Sequence, residues 1–323
     1  MRRWLIAFLL PLMVGGVVRA ADTADLVPLT ELGKREYKGF VGGLYSDGKN
    51  QRPEAHERVG VLLATQVRPL DGQGMVGEEG RIVLLSVGMS NTTQEFSALM
   101  RLAQGEKQKN PKLVIVDGAQ GGMSAARIVD TDSASGSRYW STVDDRLKAA
   151  NVTRAQVQVA WIKEADAQPT AAFPKHAQIL EEELEKIVRL MHGRFANLKI
   201  VYISSRIYGG YAKSRLNPEP FAYESGFAVK WLIEKQIGGE RDLNFDPATG
   251  GVKASWLSWG PYLWANGMNK REDGLTYEER DFGNDGTHPS QSGREKVARQ
   301  LLDFFKTDST ARPWFVKHEA KIE

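Results

Sequence analysis

The chain of 323 residues contains no cysteine. That absence excludes disulfide staples, thiolate metal sites, thiol catalysis and anchoring through a lipidated cysteine. Histidine is scarce, with five in all, so base catalysis near neutral pH has few candidates. An excess of one charge is lacking as well: 43 Lys and Arg against 40 Asp and Glu leave a formal charge of +3. The basic residues are scattered, with no stripe of the kind nucleic-acid binding requires, so nucleic acid is not an expected partner. Long apolar runs are few. The longest, Trp4 to Val18, falls short of the ~20 residues a membrane helix needs.

What the N-terminus does contain has the form of an export signal. Arg2 and Arg3 precede the apolar run, and Val18 and Ala20 are small residues placed for cleavage after Ala20. We expect a secreted or periplasmic protein with no membrane contact in its mature form; an uncleaved anchor is the alternative. Residues 21–80 are rich in Gly, Pro and polar side chains, with one strand expected at "GVLLATQV" (60–67), and read as a loop-rich extension packed on a core. The core is expected over 81–308 and a tail over 309–323. Within the core, "RIVLLSV" (81–87), "KLVIVDG" (112–118), "VQVAWI" (157–162) and "KIVYISS" (199–205) are short apolar runs suited to parallel strands buried on both faces. Helical patterns alternate with them: "SNTTQEFSALMRLAQ", "STVDDRLKAA", "AQILEEELEKIVRLMHGRF", "AYESGFAVKWLIEKQIGG" and "SQSGREKVARQLLDFFK". Strand and helix in alternation imply an α/β sheet covered on both sides, with ligands at the carboxyl ends of the strands.

Each strand is followed by a short polar segment, and these segments hold the candidates. "GMSN" places Ser90 at a strand end beside a helix N-terminus, whose N–H groups favour a developing oxyanion; Ser90 as part of the cap is the plainer reading. "DGAQGGMSA" brings Gly121 and Gly122, which allow backbone to approach a ligand or simply form a turn. "WIKEADA" sets Trp161, Lys163 and Glu164 at the crevice, and "SRIYGGYA" sets Arg206, Tyr208 and Tyr211 around a glycine hinge. Last comes "DFGNDGTHPS". Asp285 and His288, three apart in an irregular loop, suit an imidazole oriented by a carboxylate and facing a serine. Surface decoration and metal ligation are the alternatives, but the spacing fits neither an EF-hand nor H-E-x-x-H. Among the other histidines, His56 is the rival base, His176 and His192 lie on or near a charged helix, and His318 lies in the tail.

Taken together, "GMSN", "QGGMSA" and "DGTH" resemble, in order and spacing, the SGNH (GDSL-type) serine hydrolases over roughly residues 80–305. The resemblance implies a three-layer α/β/α sandwich with a mostly parallel, flavodoxin-like sheet. It implies Ser90 as nucleophile, Asp285 and His288 as its partners, and Gly122 or Gly121 as an oxyanion donor, with no cofactor and no metal. Two departures stand out. Met89 occupies a position that is usually Asp, and "WIKEAD" lacks the Asn that donates a side-chain N–H in the family's third block. Loss of one such donor costs ~10²–10³ in rate, and Lys163 is the expected replacement. Asn91, Trp161, Glu164, Arg206 and Trp259 complete the expected oxyanion and substrate-binding set.

The expected reaction is hydrolysis of carboxylic esters, O-acetyl groups on carbohydrate or other short-chain esters first among them. "WIKEAD" is distantly similar to a stretch of carbohydrate O-acetylesterases. "SWLSWGPYLW", with Trp256, Trp259, Tyr262 and Trp264, offers rings for sugar faces or for the core. A carbohydrate-binding protein with an inactive triad is the alternative. The expected partner is a small-molecule or polysaccharide ester, and the oligomeric state is left open.

Overall fold

A computed structural model describes residue 23 and residues 25–317 of the chain. The expected export signal and His318 lie outside these residues. Five strands form one sheet: β1 (Ile82–Gly88), β2 (Leu113–Asp117), β3 (Val157–Lys163), β4 (Ile200–Ile203) and β5 (Trp256–Trp259). Their order is β2-β1-β3-β4-β5, and every neighbouring pair is parallel. This is the flavodoxin-like order, which reverses direction beside β1 and opens a crevice at its carboxyl end. β1 and β3 are buried along their whole length, as their Val- and Ile-rich runs require.

Helices cover both faces. α1 (Glu54–Thr65), α2 (Ser90–Gln104), α7 (Gln291–Thr307) and the short α8 (Arg312–Phe315) pack with one another, α2 lying against α7. α3 (Ala125–Val129), α4 (Ala134–Ala149), α5 (Lys175–Arg194) and α6 (Phe221–Ile237) form the second group. The layers are those of a three-layer α/β/α sandwich.

Two elements differ from expectation. α1 occupies the stretch in which a strand is expected over 60–67. Its buried residues, His56, Gly60 and Ala64, recur every fourth position and so share one helical face, whereas Leu62 points to solvent. β5 is the element hidden in the aromatic cluster. Trp256, Trp259, Tyr262 and Trp264 are all buried and belong to the core, so they are not a platform for sugar rings. Within the expected tail, Trp314 and Phe315 are fully buried and pack against Phe305.

Residues 25–53 wrap the β5 side of the core. The Trp259 indole donates to the Leu44 carbonyl (2.7 Å), and the Leu29 N–H donates to the Tyr262 hydroxyl (3.1 Å). Lys230 on α6 reaches the carbonyls of Gly42 (2.6 Å), Val41 (3.1 Å) and Tyr45 (3.3 Å). No helix among the described residues is long and apolar enough to cross a membrane.

Candidate active site

Ser90 is the first residue of α2 and follows β1 after two residues, so its side chain lies at the carboxyl edge of the sheet. Gly88 makes that position reachable. A Cβ there would lie 2.4 Å from the Lys163 carbonyl and 2.5 Å from the Thr92 hydroxyl, so no larger residue fits between β1 and β3. Thr92 in turn donates to the Lys163 carbonyl (2.5 Å), which fixes the first turn of α2 on β3.

The loop before α7 brings the other two groups. Gly283 N–H donates to the His288 carbonyl (2.8 Å) and Ser290 N–H to the Asp281 carbonyl (2.9 Å), closing the loop on itself. Gly286, at φ 67°, presses so close to the Tyr211 carbonyl that a Cβ would meet it at 1.7 Å. The Asn91 amide donates to the Thr287 carbonyl (2.9 Å) and ties this loop to α2. Asn91 therefore holds the site together from beneath.

These tethers set Ser90 Oγ 2.8 Å from His288 Nε2, and His288 Nδ1 2.5 Å from Asp285 Oδ2. The second oxygen of Asp285 accepts N–H groups from Thr287 and His288, each at 3.0 Å. Burial alone would raise the Asp285 carboxyl, but the His288 ring and these two N–H groups outweigh it and hold it below the usual carboxylate range. The carboxylate is anchored on one side and orients the imidazole with the other.

Gly121 and Gly122 arrive from the loop after β2, which Gln120 N–H pins to the Gly88 carbonyl (2.9 Å). A Cβ on Gly121 would lie 4.0 Å from that of Ser90. Gly122 has φ 75°, and its carbonyl accepts from Arg127 (2.6 Å), which turns the peptide so that its oxygen is engaged by a cation. A cavity of about 250 Å³ opens beside Ser90, bounded by Gly122, Met123, Ala165, Asp166, Arg206 and Asn217, among others.

Four expected site residues lie elsewhere. Lys163 is fully buried, with its ammonium 2.5 Å from both oxygens of Glu95, which is also fully buried. It stabilises the floor beneath the site and does not reach the cavity, so it does not replace the missing Asn. Trp161 is fully buried, stacked on Phe96 at 5.6 Å, with its indole donating to Ser204 (3.0 Å). Glu164 is buried too, and burial raises its carboxyl well above the ordinary value. Trp259 faces a different groove, of about 920 Å³, that contains no member of the Ser90 cluster. There Arg52 is engaged by Glu57 and Asp308, and Arg271 by Asp273. A strand end read from sequence gives a position along the sheet, whereas side-chain direction alternates with each residue.

Arg206 and Asn91 do border the cavity, as do Arg127, Asp166 and Asn217, which the motifs did not single out. Asp166 lies inside "WIKEAD", but Asn217 comes from the long loop after β4. Its amide donates to the Asp166 carbonyl (3.1 Å) and joins the two walls. The rival base His56 is buried at 2.8 Å from the Leu257 carbonyl and stacks on Trp256. It takes no part in this cluster.

No family model matches the chain, and no curated protein matches it. Among solved structures, it is similar to a candidate SGNH hydrolase from Slackia heliotrinireducens, at 15% identity over 70% of this chain and 99% of the other, with a TM-score of 0.37. It is also similar to a candidate acylhydrolase from Bacteroides fragilis, at 11% identity over 78% and 96% of the two chains, with a TM-score of 0.39. A candidate platelet activating factor from Streptococcus pneumonia matches at 10% identity over 77% and 92%, with a TM-score of 0.42. What the site does follows from its own distances.

Proposed function

We propose that the protein is a serine hydrolase that cleaves carboxylic esters through Ser90, His288 and Asp285. The single observation that carries this reading is the continuous hydrogen-bonded line from Ser90 Oγ through His288 to Asp285, at 2.8 and 2.5 Å. In the first step His288 Nε2 takes the hydroxyl proton as Ser90 Oγ attacks the ester carbonyl. Asp285 stabilises the imidazolium that forms. The oxyanion is held by N–H groups at the start of α2, where helix geometry leaves donors unpaired, and by that of Gly122. His288 then gives its proton to the departing alcohol. Water repeats the sequence and releases the acid. No step as drawn requires a metal ion or an organic cofactor.

The cavity favours a short acyl group, and we take an O-acetyl group on a carbohydrate as the substrate class to test first. Burial of the Trp256–Trp264 rings takes away the aromatic support for a carbohydrate-binding protein, and the missing third-block Asn is what still speaks for an inactive triad. We assign the mature protein to the periplasm or the exterior on the strength of its N-terminal sequence.

The test is hydrolysis of p-nitrophenyl acetate in EDTA, beside Ser90→Ala. A rate that survives EDTA and falls by at least ~10⁴ in the variant is the expected result. Activity surviving Ser90→Ala would sink the assignment.

A further inference from the structure

Arg206 is the one charged group at this site that no partner explains. It follows β4 by three residues and is 1% exposed, yet it borders the cavity beside Ser90. Only its backbone N–H is engaged, by the Ser225 hydroxyl (3.2 Å). Its guanidinium makes no hydrogen bond to any described residue, and Nε and Nη2 are buried without a partner. A guanidinium does not shed its proton, so this is a buried cation with five donors and no acceptor. Elsewhere the same molecule shows what such a group takes: Arg154 holds Asp144 with Nε and Nη2 together, and Arg271 holds Asp273 in the same way. Carboxylates near Arg206, among them Glu95, Glu219 and Asp285, act on it through space, but none is bonded to it. Glu219 instead accepts from Trp264, Gly209 and Tyr223.

From this we infer that Arg206 is a specificity residue, and that the ester this site takes carries a carboxylate which enters the cavity and pairs with the guanidinium. The inference rests on the serine esterase reading for the word ester, but not for the anion. A single negative charge suits the surroundings better than two. The second cation at the wall, Arg127, is engaged by the Gly122 carbonyl, and the Asp166 carboxylate at the same wall opposes further negative charge. A substrate carboxylate supplies the acceptor that the fold withholds, and places the ester beside Ser90 by binding next to the scissile bond instead of at it.

Two acetate esters of nearly equal shape test this: 4-acetoxybenzoate, which carries a carboxylate, and 4-acetoxybenzamide, which does not. In the wild-type protein kcat/KM is expected to favour the carboxylate by about ten- to a hundredfold, as a charge-assisted pair in a buried site would give. In Arg206→Gln that ratio is expected to collapse towards one. Arg206→Lys keeps the charge without the fork and should retain part of it. A wild-type preference for the neutral ester overturns the inference without any variant, as does an Arg206→Gln that lowers both rates equally. Calorimetric binding of benzoate and benzamide to Ser90→Ala, with and without Arg206→Gln, separates this inference from the esterase reading. Arg206-dependent binding of benzoate alone, when the wild-type protein cleaves neither ester, would retire the esterase and leave the anion site standing. Equal binding of the two would retire the anion site.

Discussion

Asp285 uses its two oxygens differently, one for backbone N–H groups and one for the imidazole, and Asp285→Asn separates those tasks. The amide oxygen still accepts from Thr287 and His288, so the loop keeps its shape. The amide nitrogen then donates towards Nδ1, which forces the proton to Nε2 and points it at Ser90 instead of away. We expect kcat to fall by ~10²–10⁴ with little change in the unfolding midpoint, measured with p-nitrophenyl acetate. This part of the site is legible in the sequence because its geometry is local: three residues separate acid from base, and Ser90 sits where a strand passes into a helix. Lys163 is not legible in that way, since its partner Glu95 is contributed by another element and only folding brings them together. Lys163→Met should lower stability by ~3–5 kcal/mol, because it leaves the Glu95 carboxylate buried and alone. Adding Glu95→Leu should restore most of that loss, measured by urea denaturation. If Lys163 were an oxyanion donor, the double variant would regain stability and still lack rate that the Glu95 change alone does not remove.

At the scale of elements, four of the five strands lie where their Val- and Ile-rich runs suggest, because a strand buried on both faces has a distinctive composition. β5 is missed because tryptophan occurs as readily in a loop that binds ligand as in a strand that packs. α1 is misread because its apolar residues make a short run in which the four-residue spacing is visible only from His56 onward. That spacing has a measurable consequence. His56, 6% exposed and hydrogen-bonded to a carbonyl, has its imidazole pushed down to about 4, chiefly by burial. The unfolded chain takes up this proton near pH 6.5 and the folded one only near 4, so the folded state loses ground as pH falls through that window. The contribution is intact above pH 6.5 and is lost by ~3 kcal/mol at its lower end. Urea midpoints at pH 7.5, 6, 5 and 4.5 should fall more steeply for the wild type than for His56→Gln. Parallel slopes would mean that His56 is not neutral in the folded protein.

At the scale of the whole molecule, residues 25–53 are tied to the core by a clamp from α6 as well as by bonds to β5. Lys230 on α6 donates to three carbonyls of that segment, and burial lowers its ammonium despite the nearby Glu234. Composition cannot reveal such a clamp, because Gly- and Pro-rich stretches look alike whether they are loose or pinned by backbone hydrogen bonds to a distant helix. Tyr45 and Leu29 are as buried as the strands, and the Trp259 indole at the end of β5 is satisfied by the Leu44 carbonyl of this segment. If the segment belongs to the same cooperative unit as the sheet, Lys230→Met should leave three carbonyls short of a donor and lower global stability by ~2–3 kcal/mol. Hydrogen exchange should then show protection falling over 36–50 and, by a similar free energy, along β5 and α6. If it is merely laid on the surface, protection should fall over 36–50 alone while the unfolding midpoint stays where it was. The distinction bears on the site as well, since β4 and β5 lie side by side and Arg206 leaves the end of β4.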